Sequence, residues 1–269
     1  MLNRVVRLVR KIRLAMLAAV LLGSAVPSAQ AQLVSYDDFT AGRIDDSRWT
    51  GRQFTTRTGG TGDLLEIQRE VTKAQALVLQ SRVVGGTKAD GGDFSVDNAL
   101  VFRHSQAISE IVFDVTVQRA EVRSCGSVQD AAAGARGVFP LFNDGNGDVV
   151  AIIGVMASPG SAAGASELDV VASLVQRTAA GDVALGTLAL GPAAADRAVR
   201  LRMRWDAGKN RVRFQKDADP VMAIDYLNPV IAPADAPKFL ATLTSVSDCT
   251  AHATSAAVVA LFDNVRINP

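Results

Sequence analysis

The sequence predicts an all-β fold, a large sandwich or barrel, and three observations support this class. From Leu33 onward, apolar side chains alternate with polar ones, whereas the 3.6-residue period of amphipathic helices is almost absent. Clusters rich in glycine, serine and asparagine separate the alternating segments at short, even intervals. The composition combines 48% hydrophobic and only 5% aromatic residues, which excludes a disordered chain and indicates an aliphatic core.

About fourteen segments have this strand pattern. In the segment that begins at Glu110, the apolar residues Ile111 and Phe113 alternate with Asp114 and Thr116, as expected of a strand with one buried face. The other main segments are Leu64–Val71, Ala76–Val84, Ala99–His104, Gly137–Phe142, Val149–Met156, Glu167–Arg177, Val183–Leu190, Arg200–Trp205, Arg211–Gln215, Phe239–Val246 and Ala256–Ile267.

Local sequence also predicts how some segments are connected. The turn residues 206–210 separate Arg200–Trp205 from Arg211–Gln215, which indicates a β-hairpin. The alanine tracts 131–133 and 193–195 are predicted to form short helical turns, because alanine has the highest helix propensity. No linker rich in proline, glycine or serine follows residue 31, so we expect one domain over residues 32–269.

Residues 1–31 have the three parts of a secretory signal peptide: a basic region, an apolar region from Leu14 to Val26, and the cleavage pattern Ala29-Gln30-Ala31. The basic residues are Arg4, Arg7, Arg10, Lys11 and Arg13. Gly23 and Pro27 interrupt the apolar region before it reaches the roughly 20 residues of a membrane span. We therefore expect export to the periplasm, cell surface or extracellular space, with no membrane span in the mature protein.

The charge balance limits the partners of the protein. The whole chain has 28 basic and 27 acidic residues, which argues against nucleic acid as a ligand. Cleavage of the signal peptide leaves 23 of the 28 basic residues against 27 acidic ones, a net charge of about −4. The sequence does not indicate an oligomeric state.

The two cysteines, Cys125 and Cys249, both lie in the mature chain. They have no CxxC spacing, so in an oxidising compartment a structural disulfide is favoured over a metal or redox site. Two free thiols are the alternative.

Both ends of the mature chain carry a family resemblance. The residues Tyr36-Asp37-Asp38-Phe39, followed by Trp49, resemble the opening strand and loop of the concanavalin A-like lectin/glucanase superfamily. The segment Leu261–Ile267 resembles its closing strand, which has the sequence F-D-N-V in many members. The resemblance spans essentially the whole mature chain. It implies a jelly-roll β-sandwich of two antiparallel sheets, with the first and last strands side by side.

The superfamily includes lectins, glycoside hydrolases, polysaccharide lyases and adhesion modules, so the fold does not decide the activity. Glu66 and Glu70, four residues apart on one strand, resemble the E-x-D-x-E arrangement of laminarinase-type hydrolases, although Gln68 replaces the central acid. In those enzymes one glutamate attacks the anomeric carbon and the other protonates the leaving oxygen. The alternative is a solvated polar strand face.

A second candidate site is basic. Five arginines of the predicted hairpin should point away from the core: Arg200, Arg202, Arg204, Arg211 and Arg213. Like charges on paired strands are unfavourable unless something neutralises them. An anionic ligand such as a uronic-acid polysaccharide would do so. Acidic residues on neighbouring strands are the alternative, namely Glu110, Asp114, Glu167 and Asp169.

No metal or organic cofactor is predicted from the motifs. The resemblance alone suggests a structural calcium ion near the chain ends, held by Asp38 and Asp263. Trp49 and Trp205 each follow an alternating apolar set, which favours packing in the core over an exposed sugar-binding surface.

We expect a secreted, non-catalytic binding module whose ligand is a polysaccharide, a cell-surface glycan or another extracellular ligand. A glycoside hydrolase or polysaccharide lyase of the same superfamily is the second hypothesis. A structural or adhesive surface protein without a small ligand is the third.

The disulfide gives a direct prediction. Alkylation without reduction, followed by mass spectrometry, should leave Cys125 and Cys249 unmodified and joined in one cross-linked peptide pair. The residues are 124 positions apart, so in the loop-entropy description the bond should stabilise the fold by somewhat more than ~4 kcal/mol. Two alkylated thiols in the unreduced protein would contradict the prediction.

Overall fold

The alternating segments form strands. The computed structural model describes residues 32–59, 64–85, 94–103, 108–123, 131–141, 149–157, 167–178, 181–227, 237–246 and 254–268. These ranges contain sixteen strands: β1 (Val34–Asp37), β2 (Trp49–Thr50), β3 (Phe54–Gly59), β4 (Leu64–Val71), β5 (Leu77–Val84), β6 (Phe94–Phe102), β7 (Glu110–Arg123), β8 (Ala131–Pro140), β9 (Val149–Ala157), β10 (Glu167–Thr178), β11 (Gly181–Ala194), β12 (Val199–Asp206), β13 (Arg211–Lys216), β14 (Met222–Asp225), β15 (Phe239–Val246) and β16 (Ser255–Ile267). None of the described residues belongs to a helix with the length and hydrophobicity needed to cross a lipid bilayer.

The strands pair into two antiparallel sheets. The nine-stranded sheet has the order β14-β13-β12-β7-β16-β5-β4-β3, with β1 paired to β16, and the seven-stranded sheet has the order β11-β10-β9-β8-β15-β6-β2. Their apolar faces meet in one core, which buries Phe113 and Phe262 of the larger sheet and Phe139 of the smaller one. The predicted sandwich of two antiparallel sheets is confirmed.

The closing strand β16 lies at the centre of the larger sheet. It pairs with β7 on one side and, through Ser255–Phe262, with β5 on the other. Beyond the end of β5, β1 pairs with the last residues of β16, with Val34 opposite Ile267. The first and last strands are therefore neighbours, as the family resemblance implies.

An aromatic cluster anchors the loop after β1. Trp49 is fully buried, with ring centroids of Tyr36 and Phe102 at 5.0 and 4.5 Å. Its indole Nε1 donates a 2.7 Å hydrogen bond to Oδ2 of buried Asp37, whose Oδ1 accepts from the backbone N–H of Phe39 at 2.8 Å. The aspartate of the opening motif thus satisfies two donors that the cluster removes from water.

The second tryptophan is also part of the core. Trp205 is buried on β12, and its indole Nε1 donates a 2.7 Å hydrogen bond to the hydroxyl of buried Tyr226. The packing role predicted for Trp49 and Trp205 is confirmed.

The alanine tracts are strands, so the prediction of helical turns there is wrong. Residues 131–133 begin β8, and residues 193–194 end β11. Ala133 and Ala135 are fully buried between the sheets. A Cβ atom placed on Gly137 of the same strand would lie 2.7 Å from Cε1 of Phe113 in the opposite sheet. Small residues are needed here because the sheets approach closely, and this packing overrides helix propensity.

The inward face of β15 continues into a buried lysine. Lys238 is 1% exposed and precedes buried Leu240, Thr242 and Thr244 at alternate positions. Its Nζ lies 4.8 Å from the ring centroid of Phe139, a cation–π contact. Burial lowers the pKa of Lys238 to about 8.

The Asp37 contact should dominate the stability of the aromatic cluster. Asp37→Ala removes the acceptor of the Trp49 indole and leaves a buried donor unpaired, so urea unfolding should show a loss of roughly 2–4 kcal/mol. Asp38→Ala, at an exposed neighbouring carboxylate, should stay within about 1 kcal/mol of wild type. Equal losses in the two variants would contradict the assigned role.

Lys238 predicts a specific pH dependence. The pKa is about 8 in the folded protein and 10.5 for an unperturbed lysine, so between these values the unfolded chain binds more protons. Stability should therefore rise with pH across this window in the wild type. Lys238→Met should remove that rise, while the exposed-residue control Lys209→Met should retain it. Urea midpoints measured across the window would contradict the prediction if all three proteins had the same slope.

Candidate functional site

A polar groove crosses one end of the nine-stranded sheet. On β4, Leu65 and Val71 pack against the core, so the intervening Glu66, Gln68 and Glu70 point to the outer face. The groove has a volume of about 210 Å³. It is lined by Thr55, Thr56, Arg57, Glu66, Ile67, Gln68 and Gln80.

Strand register arranges the groove in two cross-strand rows. Thr55 of β3, Gln68 of β4 and Gln80 of β5 are Cα partners, and together they are called the amide row here. Neighbouring strands are about 4.8 Å apart, so the amide row spans roughly 10 Å. Within the described residues, none of these three side chains has a hydrogen-bond partner.

The second row is charged. Arg57, Glu66 and Arg82 are Cα partners across the same strands. Glu66 Oε1 lies 3.2 Å from Arg57 Nε, and its Oε2 lies 3.4 Å from Arg82 Nη1. The Glu66 side chain is 23% exposed, while those of the two arginines are 72% and 46% exposed. Both carboxylate oxygens are therefore engaged by cations at the mouth of the groove.

A buried asparagine supports the amide row from below. Asn98 of the smaller sheet is 1% exposed, and its Nδ2 donates to the backbone carbonyls of Gln68 at 2.7 Å and Gln80 at 2.9 Å. Its Oδ1 accepts from Arg69 Nη2 at 3.2 Å. The guanidinium of Arg69 in turn lies 4.9 Å from the ring centroid of Phe54. This network ties both strands of the row to the opposite sheet, so the two amides project from a fixed backbone.

Glu66 and Glu70 lie on the same face, but their geometry does not bring them together. Four residues of a strand separate their Cα atoms by about 13 Å, whereas glycosidase carboxyl groups are about 5–5.5 Å or 6.5–9.5 Å apart. The side chains would have to lean toward each other, and Arg57 and Arg82 hold Glu66 in its own row.

The arginine face is neutralised within the protein. Arg200 donates from Nε and Nη2 to the two carboxylate oxygens of Asp114, at 2.7 and 2.9 Å, and these bonds raise its pKa. The remaining pairs are Arg202 and Arg204 with Glu110, Arg211 with Asp225, and Arg213 with Asp206. Of the four acids expected to do this, Glu110 and Asp114 do, whereas Glu167 and Asp169 lie on β10 of the other sheet. An anionic ligand at the arginine face stays an untested prediction.

Two carboxylates were considered for calcium, Asp38 and Asp263, and the charge of Asp38 acts on Asp263. Asp38 is exposed and accepts from the Thr40 hydroxyl at 2.7 Å, which lowers its pKa. Burial raises the pKa of Asp263, and the negative charges of Asp114, Asp38 and Asp37 add to this shift. Calcium binding there stays a prediction.

Cys125 and Cys249 lie outside the described residues. Of the strands that flank them, β7 pairs with β16 through Arg123 and Ser255, and β15 pairs with β8 through Val246 and Ala131. The disulfide stays a prediction.

The amide row and Asn98 are the parts of the site that the sequence analysis missed. Alternation along β4 and β5 places Gln68 and Gln80 on an outer face, but alternation carries no information about which residues of two strands lie opposite each other. The sequence did offer one signal of the site: Asn98 is a polar residue at an inward-facing position of β6.

Comparison with known proteins finds only distant structural similarity. No family model matches the chain, and no curated protein matches it. Similar solved structures include a laminarinase from a Flavobacterium species, with 12% identity, coverage of 88% of this chain and 100% of that chain, and a TM-score of 0.43. A β-glucanase from Bacillus licheniformis has 10% identity, coverage of 87% and 96%, and a TM-score of 0.43. A winged bean acidic lectin in complex with methyl-α-D-galactose has 10% identity, coverage of 88% and 98%, and a TM-score of 0.33.

These low similarities assign no activity to the chain. The two antiparallel sheets and the pairing of β1 with β16 are the features that the family resemblance implied. The fold that the family resemblance implied, two antiparallel sheets with adjacent first and last strands, is therefore confirmed.

Proposed function

We propose that this protein is an exported, non-catalytic module that binds a polysaccharide in the groove of β3, β4 and β5. The export rests on the predicted signal peptide. The binding rests on one observation, the amide row of Thr55, Gln68 and Gln80, whose side chains are without partners in the described residues.

The chemistry of the amide row suits sugar hydroxyl groups. Each glutamine side chain offers both donors and an acceptor, and a hydroxyl group likewise donates and accepts. Because Asn98 fixes the backbone beneath Gln68 and Gln80, their side chains are presented at a constant spacing and less ordering is required on binding. A linear chain of sugars lying across the strands would meet one row member per strand.

The charged row beside the amide row favours binding over cleavage. A catalytic carboxylate must reach the glycosidic bond, whereas both carboxylate oxygens of Glu66 are engaged by Arg57 and Arg82. The distance between Glu66 and Glu70 along the strand also argues against two carboxylates that act together on one glycosidic bond. Glu66 and its arginines are then able to hydrogen-bond the ligand at the rim of the groove.

Glycoside hydrolysis is the second candidate function, because Glu66 lines the groove itself and Glu70 projects from the same strand face. The same binding experiment tests it. Incubation with a polysaccharide panel should give retention without release of reducing ends, and release that is lost in Glu66→Gln would overturn the non-catalytic assignment.

The amide row gives a mutational prediction. The double variant Gln68→Ala, Gln80→Ala should bind the retained polysaccharide at least roughly tenfold more weakly, because each lost hydrogen bond costs on the order of 1 kcal/mol. Affinity electrophoresis or calorimetry measures the change. The control Gln118→Ala removes an exposed amide of β7 and should bind like wild type.

Unfolding midpoints of the two variants should match the wild type, which separates lost binding from lost structure. Binding that survives the double variant, or falls equally in Gln118→Ala, would count against the groove as the site.

A further inference from the structure

Among the described strands, one edge strand differs from the rest. The edge strands are β14, β3 and the four-residue β1 of the larger sheet and β11 and β2 of the smaller one. β2, β14 and β3 have 2, 4 and 6 residues, whereas β11 has 14. Short edge strands limit pairing with other chains, because an edge exposes unpaired backbone N–H and C=O groups. β11 lacks that protection.

The sequence of β11 also lacks the usual charged guards. Asp182 is its one charged residue, and every position from 181 to 194 is exposed or half-exposed. Leu185 has no Cα partner on β10, since the register shifts between Gly186 and Ala184, so a bulge limits the regular ladder. On either side of the bulge, Gly181–Ala184 and Gly186–Ala189 pair regularly with β10, and Gly186–Ala189 lies nearer the middle of the strand.

Exposed apolar side chains concentrate at the same edge. Among the described residues, six large hydrophobic side chains are exposed, and five belong to β11 or to β14 and its flanking residues: Val183, Leu185, Val221, Met222 and Leu227. The two strands lie against each other, because a Cβ atom on Gly186 would be 2.8 Å from Cγ2 of Ile224. We call this surface the open edge. An apolar concentration of this kind is typical of an interaction surface.

We propose that the open edge binds a second copy of this chain, through antiparallel pairing of the two β11 strands about a two-fold axis. In this pairing Thr187 of one copy lies opposite Thr187 of the partner subunit, so the stretches Gly186–Ala189 of both copies form backbone hydrogen bonds. The pairing also brings the apolar side chains of the two edges together. It also places Asp182 of one copy opposite Pro192 of the partner subunit.

The charges of the edge are complementary under this pairing. Lys216 Nζ donates to the carbonyl of Pro192 at 2.8 Å and lies 3.9 Å from Asp219. An ammonium group has three donors, so one remains for Asp182 of the partner subunit. Since the arrangement is two-fold, the same ion pair forms twice. No other charged residue of β11 opposes the contact.

The symmetry limits the assembly to two copies. A two-fold contact uses the β11 edge of both copies, so no β11 edge remains free for a third copy. The assembly is a closed dimer and not a fibre. This inference is independent of the polysaccharide proposed for β3, β4 and β5, which lie at the opposite end of the larger sheet.

Sedimentation velocity over a range of protein concentrations tests the proposal. The wild type should have twice the mass of the chain. Leu185→Lys places a charge on the open edge and should raise the dimer dissociation constant by about tenfold or more. Val34→Lys makes the same change at the sixth exposed apolar residue, on β1, and should leave the dimer intact. Circular dichroism and thermal unfolding establish that both variants are folded.

A charge exchange provides a second, independent readout. Asp182→Lys should weaken the dimer, because two lysines then face each other, and adding Lys216→Asp should restore it. A wild type that is monomeric at every concentration overturns the proposal. So does a dimer that persists in both Leu185→Lys and Asp182→Lys, because the contact must then lie elsewhere.

Discussion

The larger sheet depends on the hydrogen bonds of one strand, β16. Without it, the sheet consists of two separate pieces, β14-β13-β12-β7 and β5-β4-β3. The first piece carries the neutralised arginines and the second carries the polar groove, so the closing strand fixes one set of side chains relative to the other. β16 also pairs with β1, whose last residue, Asp37, accepts the hydrogen bond from Trp49 in the aromatic cluster. Each of these features is formed by nearby residues, but their positions relative to one another depend on the pairing of β16.

Much of the fold was accessible from local pattern. Period-two alternation locates strands because one face of the strand is buried and the other is exposed to solvent. The β12–β13 hairpin follows from a short turn between two such segments. Trp49 and Trp205 were placed in the core for the same reason. The tract at residues 131–133 was misassigned because propensity acts on an isolated segment, while the close approach of the sheets near Gly137 and Phe113 is decided by distant residues.

The site was less accessible, because it is made by register. Thr55, Gln68 and Gln80 are unremarkable outward positions on three strands, and they become a row only when those strands pair with particular offsets. The arginine face was half predictable. Alternation identifies Glu110 and Asp114 as outward acids, but the adjacency of β12 to β7, more than eighty residues earlier, comes from topology. Asn98 is recognisable in the sequence as a polar residue at an inward position, but its partners are backbone carbonyls that no sequence pattern identifies.

The position of β16 along the chain has a consequence for biogenesis. It follows the other fifteen described strands in the chain, and eight of them belong to its own sheet, so the two halves of that sheet stay unjoined until β16 has been synthesised. High contact order of this kind delays collapse to the native state. The complete larger sheet therefore forms only once all of its other strands are available to pair, which places its assembly late in folding.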